Sequence, residues 1–259
     1  MEIRAPAPIG WGQGTARPFP PYHRADRGFF LLFLILCWLG VLMGFEPAVT
    51  KRFAGHADYP APLILQLHVV AFSAWLLLLT TQILLIRMRR PLLHARLGLA
   101  AVVLVPVMGL SALLSEVYSQ RFYFDHPPNS QAFFILPIFY AFAFTGLGGA
   151  AIAQRRNPSA HKRLIFLATT VIVGAAYARW WGNRLTEAVG DDFWGMIVNT
   201  FAGTDLFLVG AVAYDLATRR RLHPLLAIGV PAMILAELMV SLIYHSPQWL
   251  PVAQFLIGR

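Results

Sequence analysis

The sequence predicts an all-α membrane protein: a polytopic bundle of seven transmembrane helices with its amino terminus in the cytoplasm. Three observations carry this prediction. Hydrophobic residues make up 58% of the 259-residue chain and charged residues only 13%, whereas a soluble domain carries about 25% charged residues; mean hydropathy is +0.60. The apolar residues fall into seven runs, each near the roughly 20 residues a helix needs to cross a bilayer. Arginine clusters punctuate the runs. Arg89-Arg90-Pro91-Leu92-Leu93-His94 returns as Arg155-Arg156-Asn157-Pro158-Ser159-Ala160-His161, and in degraded form as Arg219-Arg220-Arg221-Leu222-His223-Pro224. In each copy a proline prevents one helix from running on, and a histidine sits at the mouth of the next.

In chain order, residues 1–27 are rich in Pro, Gly and Arg without apolar periodicity and read as a cytoplasmic tail, partly disordered or lying on lipid headgroups. Residues 28–259 form the membrane domain. Its first span, from residue 28 to 45, has no small-x-small cleavage site after it and is expected to stay attached. The others are predicted at 63–86, 92–115, 131–153, 164–181, 193–217 and 225–244. The single cysteine, Cys37, lies in an apolar run and packs as a small side chain. Gly146, Gly148 and Gly149 in the fourth span are expected at close helix contacts; no strand precedes them, so they form no nucleotide fingerprint.

Orientation follows from the arginines. The tail (Arg4, Arg17, Arg24, Arg27) and three loops (Arg87, Arg89, Arg90, Arg96; Arg155, Arg156, Lys162, Arg163; Arg219, Arg220, Arg221) hold 15 of the 21 basic residues. That bias places these loops in the cytoplasm, the carboxyl terminus outside, and the protein in a bacterial plasma membrane. The net charge of +9 is therefore concentrated at span ends and does not signal nucleic acid. Tyr59, Tyr118, Tyr123, Trp180, Trp181, Trp194 and Trp249 cluster near the predicted outer boundary, as an interfacial belt does. The basic loops recur 67 and 62 residues apart, counted between His94, His161 and His223. This suggests three similarly oriented two-span hairpins with the first span appended.

Several polar residues fall where lipid is expected. Asp205 and Glu237 lie about 20 Å from the starts of the sixth and seventh spans, at 1.5 Å per residue. An ionised acid facing lipid is costly, so both are expected to face the bundle. Adjacent to one another they would share a proton; alternatively each bonds a neighbour such as Thr204, Asn199 or Ser241. Glu237, Ser241, Tyr244 and His245 share a face of the seventh span, which reads either as the wall of an outward cavity or as a hydrated helix end. Arg179 is expected to pair with an acid, either Glu116 or Asp205.

The histidines support two readings each. His68, facing with Phe72, Trp75 and Gln82, is either a hydrogen-bonded core residue or a ligand. His94 and His161 either cap helices and touch headgroups, or face each other across the bundle. Paired imidazoles from different helices are what axial ligation of a b-type haem requires. In this placement of histidines, residues 62–181 resemble the cytochrome b561-like membrane proteins. There, four consecutive helices carry haem ligands, the first pairing with the third and the second with the fourth. The resemblance implies haem b, electron transfer, an inner ligand pair His94–His161 and an outer pair His68–His126. The segment Leu67-His68-Val69-Val70-Ala71-Phe72-Ser73-Ala74-Trp75-Leu76, with Leu93-His94-Ala95-Arg96-Leu97-Gly98, is also similar to bacterial multi-span proteins of unassigned function.

Two other functions fit the sequence. In one, His68, His126, His245, Asp125 and Glu116 converge on zinc at the outer leaflet, giving a membrane hydrolase loosely similar to the seven-helix ceramidase and adiponectin-receptor superfamily. In the other, the chain is an accessory subunit whose partners are lipids and other membrane proteins. A retinal protein is not expected, because Lys51 and Lys162 are the only lysines and neither lies in the seventh span.

Overall fold

The computed structural model describes residues 19–57, 59–125 and 131–259. Among them are nine α-helices, one 3-10 turn and no strand. The helices are α1 Asp26–Phe53, α2 Leu63–Arg87, α3 Pro91–Gly98, α4 Ala101–Phe124, α5 Ile135–Ala153, α6 Pro158–Val189, α7 Phe193–Arg219, α8 Pro224–Tyr244 and α9 Trp249–Leu256. All except α3 and α9 are long and apolar enough to cross a membrane, α5 together with the 3-10 turn before it. The chain is an all-α, seven-span integral membrane protein.

Helix boundaries follow local chemistry. The Asn157 side chain accepts from Ala160 N at α6, with Pro158 at the first position. Asp192 accepts from Trp194 N and Gly195 N at α7. His223 caps α8 through Nδ1, 3.1 Å from Leu225 N, again followed by proline. These caps satisfy amide donors that a helix start leaves open. Gly190, at φ +82°, ends α6.

Helix α6 is the centre of the bundle. Of its most apolar 18-residue stretch, 61% is buried, against 28–39% in the other spans. It packs on α1, α5, α7 and α8. Small residues make this possible: a Cβ on Gly44 of α1 would lie 2.2 Å from the Ala176 carbonyl, and one on Gly203 of α7 would lie 2.3 Å from Tyr177 Cβ. Each predicted hairpin packs on itself (α2 with α4, α5 with α6, α7 with α8), but the most extensive contact is α6 with α7, across two hairpins.

Three expectations change. The third span does not begin at residue 92. The chain forms the short helix α3, which has no buried residue, and turns at Leu99 and Ala100 before α4 starts. The apolar run is unbroken there, so hydropathy carries no sign of the turn. Of the three glycines in α5, only Gly148 sits at a tight contact, against Val105; Gly146 and Gly149 face open space. The first span starts two residues earlier than expected, at Asp26, and just before it Phe19 packs on the His223 ring and the Pro21 carbonyl accepts from Lys162.

Candidate functional site

At the end of the bundle that carries the basic loops, α3 brings His94 against His161 of α6. Their ring centres are 6.4 Å apart with planes at 88°. His161 donates from Nδ1 to the Ala151 carbonyl at 2.8 Å, which leaves Nε2 with a free lone pair. The Gln82 amide satisfies its surroundings when its nitrogen donates to the His94 carbonyl at 2.9 Å and to His94 Nδ1 at 2.5 Å, while its oxygen accepts from Gly98 N at 3.1 Å. Gln82 therefore ties α3 to α2. Burial holds the His94 imidazole below its ordinary pKa, and the nearby His161 adds to this, so His94 is neutral at pH 7.

The outer pair does not form in the same way. His68 Nδ1 is 3.3 Å from Ser111 Oγ and its ring lies beside Phe72; no imidazole faces it among the described residues. His126 lies outside the described residues. No group of three or more His, Cys, Asp or Glu among the described residues is placed to hold a metal, so His68, Glu116, Asp125 and His245 do not converge.

Arg179 has no acid within ion-pair reach among the described residues. Its guanidinium donates to the Ala175 carbonyl at 2.9 Å and lies 5.0 Å from the Phe45 ring. The reason is local: with α1 alongside, the side chain covers an aromatic face and caps its own helix backbone. Asp205 and Glu237 do meet, within hydrogen-bonding reach of each other at the α7–α8 interface. The polar stripe of α8 runs from a buried interior to an exposed end at His245. Glu237 and Ser241 are buried, Ser241 donates to the Phe193 carbonyl at 2.8 Å, and His245 Nδ1 lies 2.8 Å from the Ser241 carbonyl, with its ring beside those of Tyr244 and Phe193.

Sequence reasoning missed a second cluster at the basic end. Arg163 of α6 grips Asp215 of α7 through Nε and Nη2, and its Nη1 donates to the Ser159 carbonyl. Arg219 bonds Asp26 at 2.8 Å and lies 3.6 Å from Asp215. Lys162 and the Tyr214 hydroxyl also reach Asp26. Phe19 covers the cluster, 4.5 Å from the Arg163 guanidinium and 4.6 Å from the His223 ring. His223 bonds Ser159 Oγ through Nε2. Burial, then the Arg163 charge, push its pKa down to about 4. The signal available in the sequence was Asp215 itself, an acid inside the predicted sixth span.

The chain matches no protein-family model, no curated protein and no solved structure.

Proposed function

We propose that this integral membrane protein binds one b-type haem between His94 and His161 and passes single electrons through it. The observation that carries the reading is the separation of the two imidazoles. Two imidazoles bound to opposite faces of one metal ion, through bonds of about 2.0 Å, have ring centres roughly 6 Å apart; here they are 6.4 Å apart. Two protein ligands suffice where a macrocycle fills the remaining positions of the metal. That condition agrees with a site offering a histidine pair and, among the described residues, no third ligand.

When bound, the haem supplies reversible one-electron chemistry. The chain's own residues prepare for it. The Ala151 carbonyl holds His161 in the tautomer that offers Nε2. His94 reaches the same tautomer when the Gln82 amide turns to present its oxygen to Nδ1. The exposed arginines Arg96 on α3 and Arg90, Arg155 and Arg156 on the adjoining loops provide the cationic surface that the carboxylates of such a group need. His68 is left outside this site, so the reading is of one haem where the resemblance implied two. The arginine bias further supports placing this end in the cytoplasm of a bacterial plasma membrane.

An absorption spectrum tests the reading. Protein purified from haem-replete cells is expected to show a Soret band that shifts on reduction. Either His94→Ala or His161→Ala is expected to abolish it, and His68→Ala to leave it in place. A colourless wild-type preparation, or colour that survives both substitutions, overturns the proposal.

A further inference from the structure

Deep in the bundle, far from the histidine pair, Asp205 of α7 and Glu237 of α8 lie within hydrogen-bonding reach of each other. Asp205 is about 18 Å from the start of α7 and Glu237 about 20 Å from the start of α8, at 1.5 Å per residue. Glu237 is 1% exposed. Asp205 Oδ1 and Glu237 Oε1 are both buried, and neither finds a donor among the described residues. Two ionised carboxylates offer each other only acceptors, and at this depth their repulsion is weakly screened. One proton placed between them converts two orphaned acceptors into a hydrogen bond and leaves the pair with a single charge.

A third buried polar group lies nearby. The Tyr140 hydroxyl of α5 also has no partner among the described residues, and it lies within electrostatic reach of both Glu237 and Arg179. Arg179 of α6 in turn acts on Glu116 of α4 and His68 of α2. These groups, with the pair itself, are the titratable and charged side chains around the site on the packed helices. They lead from mid-bundle toward the end opposite the basic loops.

We propose that Asp205 and Glu237 form a proton-binding site inside the membrane, holding one shared proton at neutral pH. Binding a second proton takes the pair from one negative charge to none, and its release restores the charge. The site is independent of the haem reading and stands if that reading fails.

Infrared spectroscopy of the detergent-solubilised full chain tests this. At pH 7 the wild type is expected to show the C=O stretch of a protonated carboxyl, shifted on transfer to D2O. The band is expected to be lost in the isosteric double variant Asp205→Asn/Glu237→Gln. Wild-type protein grown on glutamate and aspartate labelled with 13C at the side-chain carboxyl is expected to show the band displaced, which identifies it as a side-chain carboxyl without needing a variant to fold; the double variant then assigns it to the pair. Absence of the band in the wild type, or its undiminished survival in the double variant, overturns the proposal. A melting temperature that rises with sodium at constant pH, and no longer does so in Glu237→Gln, would assign the pair to a metal cation and overturn it equally.

Discussion

Arg163 and Asp215 form a forked ion pair between α6 and α7 that water does not reach: the two side chains are 5% and 1% exposed. The fork fixes the rotation of each helix about its axis, because a planar guanidinium and a planar carboxylate match in few orientations. The same carboxylate accepts from His223 N at 3.2 Å, so the start of α8 is tied to the pair. One acid therefore sets the register of three spans.

Removing one partner leaves the other charged and buried. Asp215→Asn is expected to destabilise the protein by about 3–5 kcal/mol, read as a fall in melting temperature in detergent. Arg163→Lys is expected to lose much of the same stability because an ammonium cannot reproduce the fork. The double replacement Arg163→Met/Asp215→Leu is expected to recover part of it, since apolar residues of similar volume carry no desolvation cost. A single Asp215→Asn variant as stable as wild type would remove the pair from any structural role.

His223 makes stability depend on pH. Its Nδ1 accepts the α8 capping bond, so the fold requires the neutral ring. In the unfolded chain the imidazole titrates near 6.5, in the folded protein near 4. Between these values the unfolded chain takes up a proton that the folded protein does not. Stability is therefore full above pH 6.5, falls as pH drops toward 4, and declines no further from this source below it. With allowance for water at the helix end, the loss is roughly 1–2 kcal/mol. Melting curves from pH 7.5 to 4.5 should show this slope, and His223→Asn, which can still cap, should flatten it.

Some of this arrangement was legible in the sequence and some was not, for physical reasons. Apolar runs bounded by arginine report burial in lipid directly, so the seven spans and most of their ends could be read. The approach of His94 to His161 could be anticipated from their shared place in the repeated loop. The Arg163–Asp215 and Arg219–Asp26 pairs could not: the partners lie 52 and 193 residues apart. An arginine at a span end looks the same whether it meets a headgroup or a buried acid. The turn between α3 and α4 was hidden for the opposite reason, since Leu97, Leu99 and the alanines after it suit either one long helix or two. Helix α9 is eight residues long, too short for a span-length window to register.

The glycine contacts on α6 predict a contrast between two substitutions in one helix. Gly44→Ala places a methyl 2.2 Å from a backbone oxygen, which a side-chain rotation cannot relieve, so α1 must move away from α6. The expected cost is about 1–3 kcal/mol. Gly28→Ala, near the start of α1, meets nothing within 4 Å and is expected to add about 0.5–1 kcal/mol through helix propensity. Thermal melts of the two variants should shift in opposite directions.

Orientation is open to a direct test. Seven spans would put residues 26 and 259 on opposite sides, and the arginine bias predicts Arg259 outside the cytoplasm. A phosphatase that folds only in an oxidising compartment, fused after Arg259, is expected to be active; a fluorescent reporter that requires the cytoplasm is expected to be dark. The reverse pattern would move the histidine pair to the outer face.

Gln82 separates the structural role of the His94 loop from its proposed chemistry. Its amide bonds α3 at its middle, His94, and at its last residue, Gly98, and α3 buries no residue of its own. A short helix without a core contact is held by such bonds, each contributing about 0.5–1.5 kcal/mol net. Gln82→Leu is therefore expected to loosen α3 while leaving the seven spans in place, seen as faster amide exchange confined to residues 91–98. If His94 serves as a ligand, the same variant should retain less haem than wild type and shift the reduction potential of what remains, because the group bonded to Nδ1 tunes the ligand's basicity. Gln82→Glu should act in the opposite sense, its carboxylate accepting from Nδ1 and favouring the tautomer that offers Nε2. Equal haem retention and equal potential in all three proteins, with α3 loosened in Gln82→Leu, would confine Gln82 and His94 to a structural part.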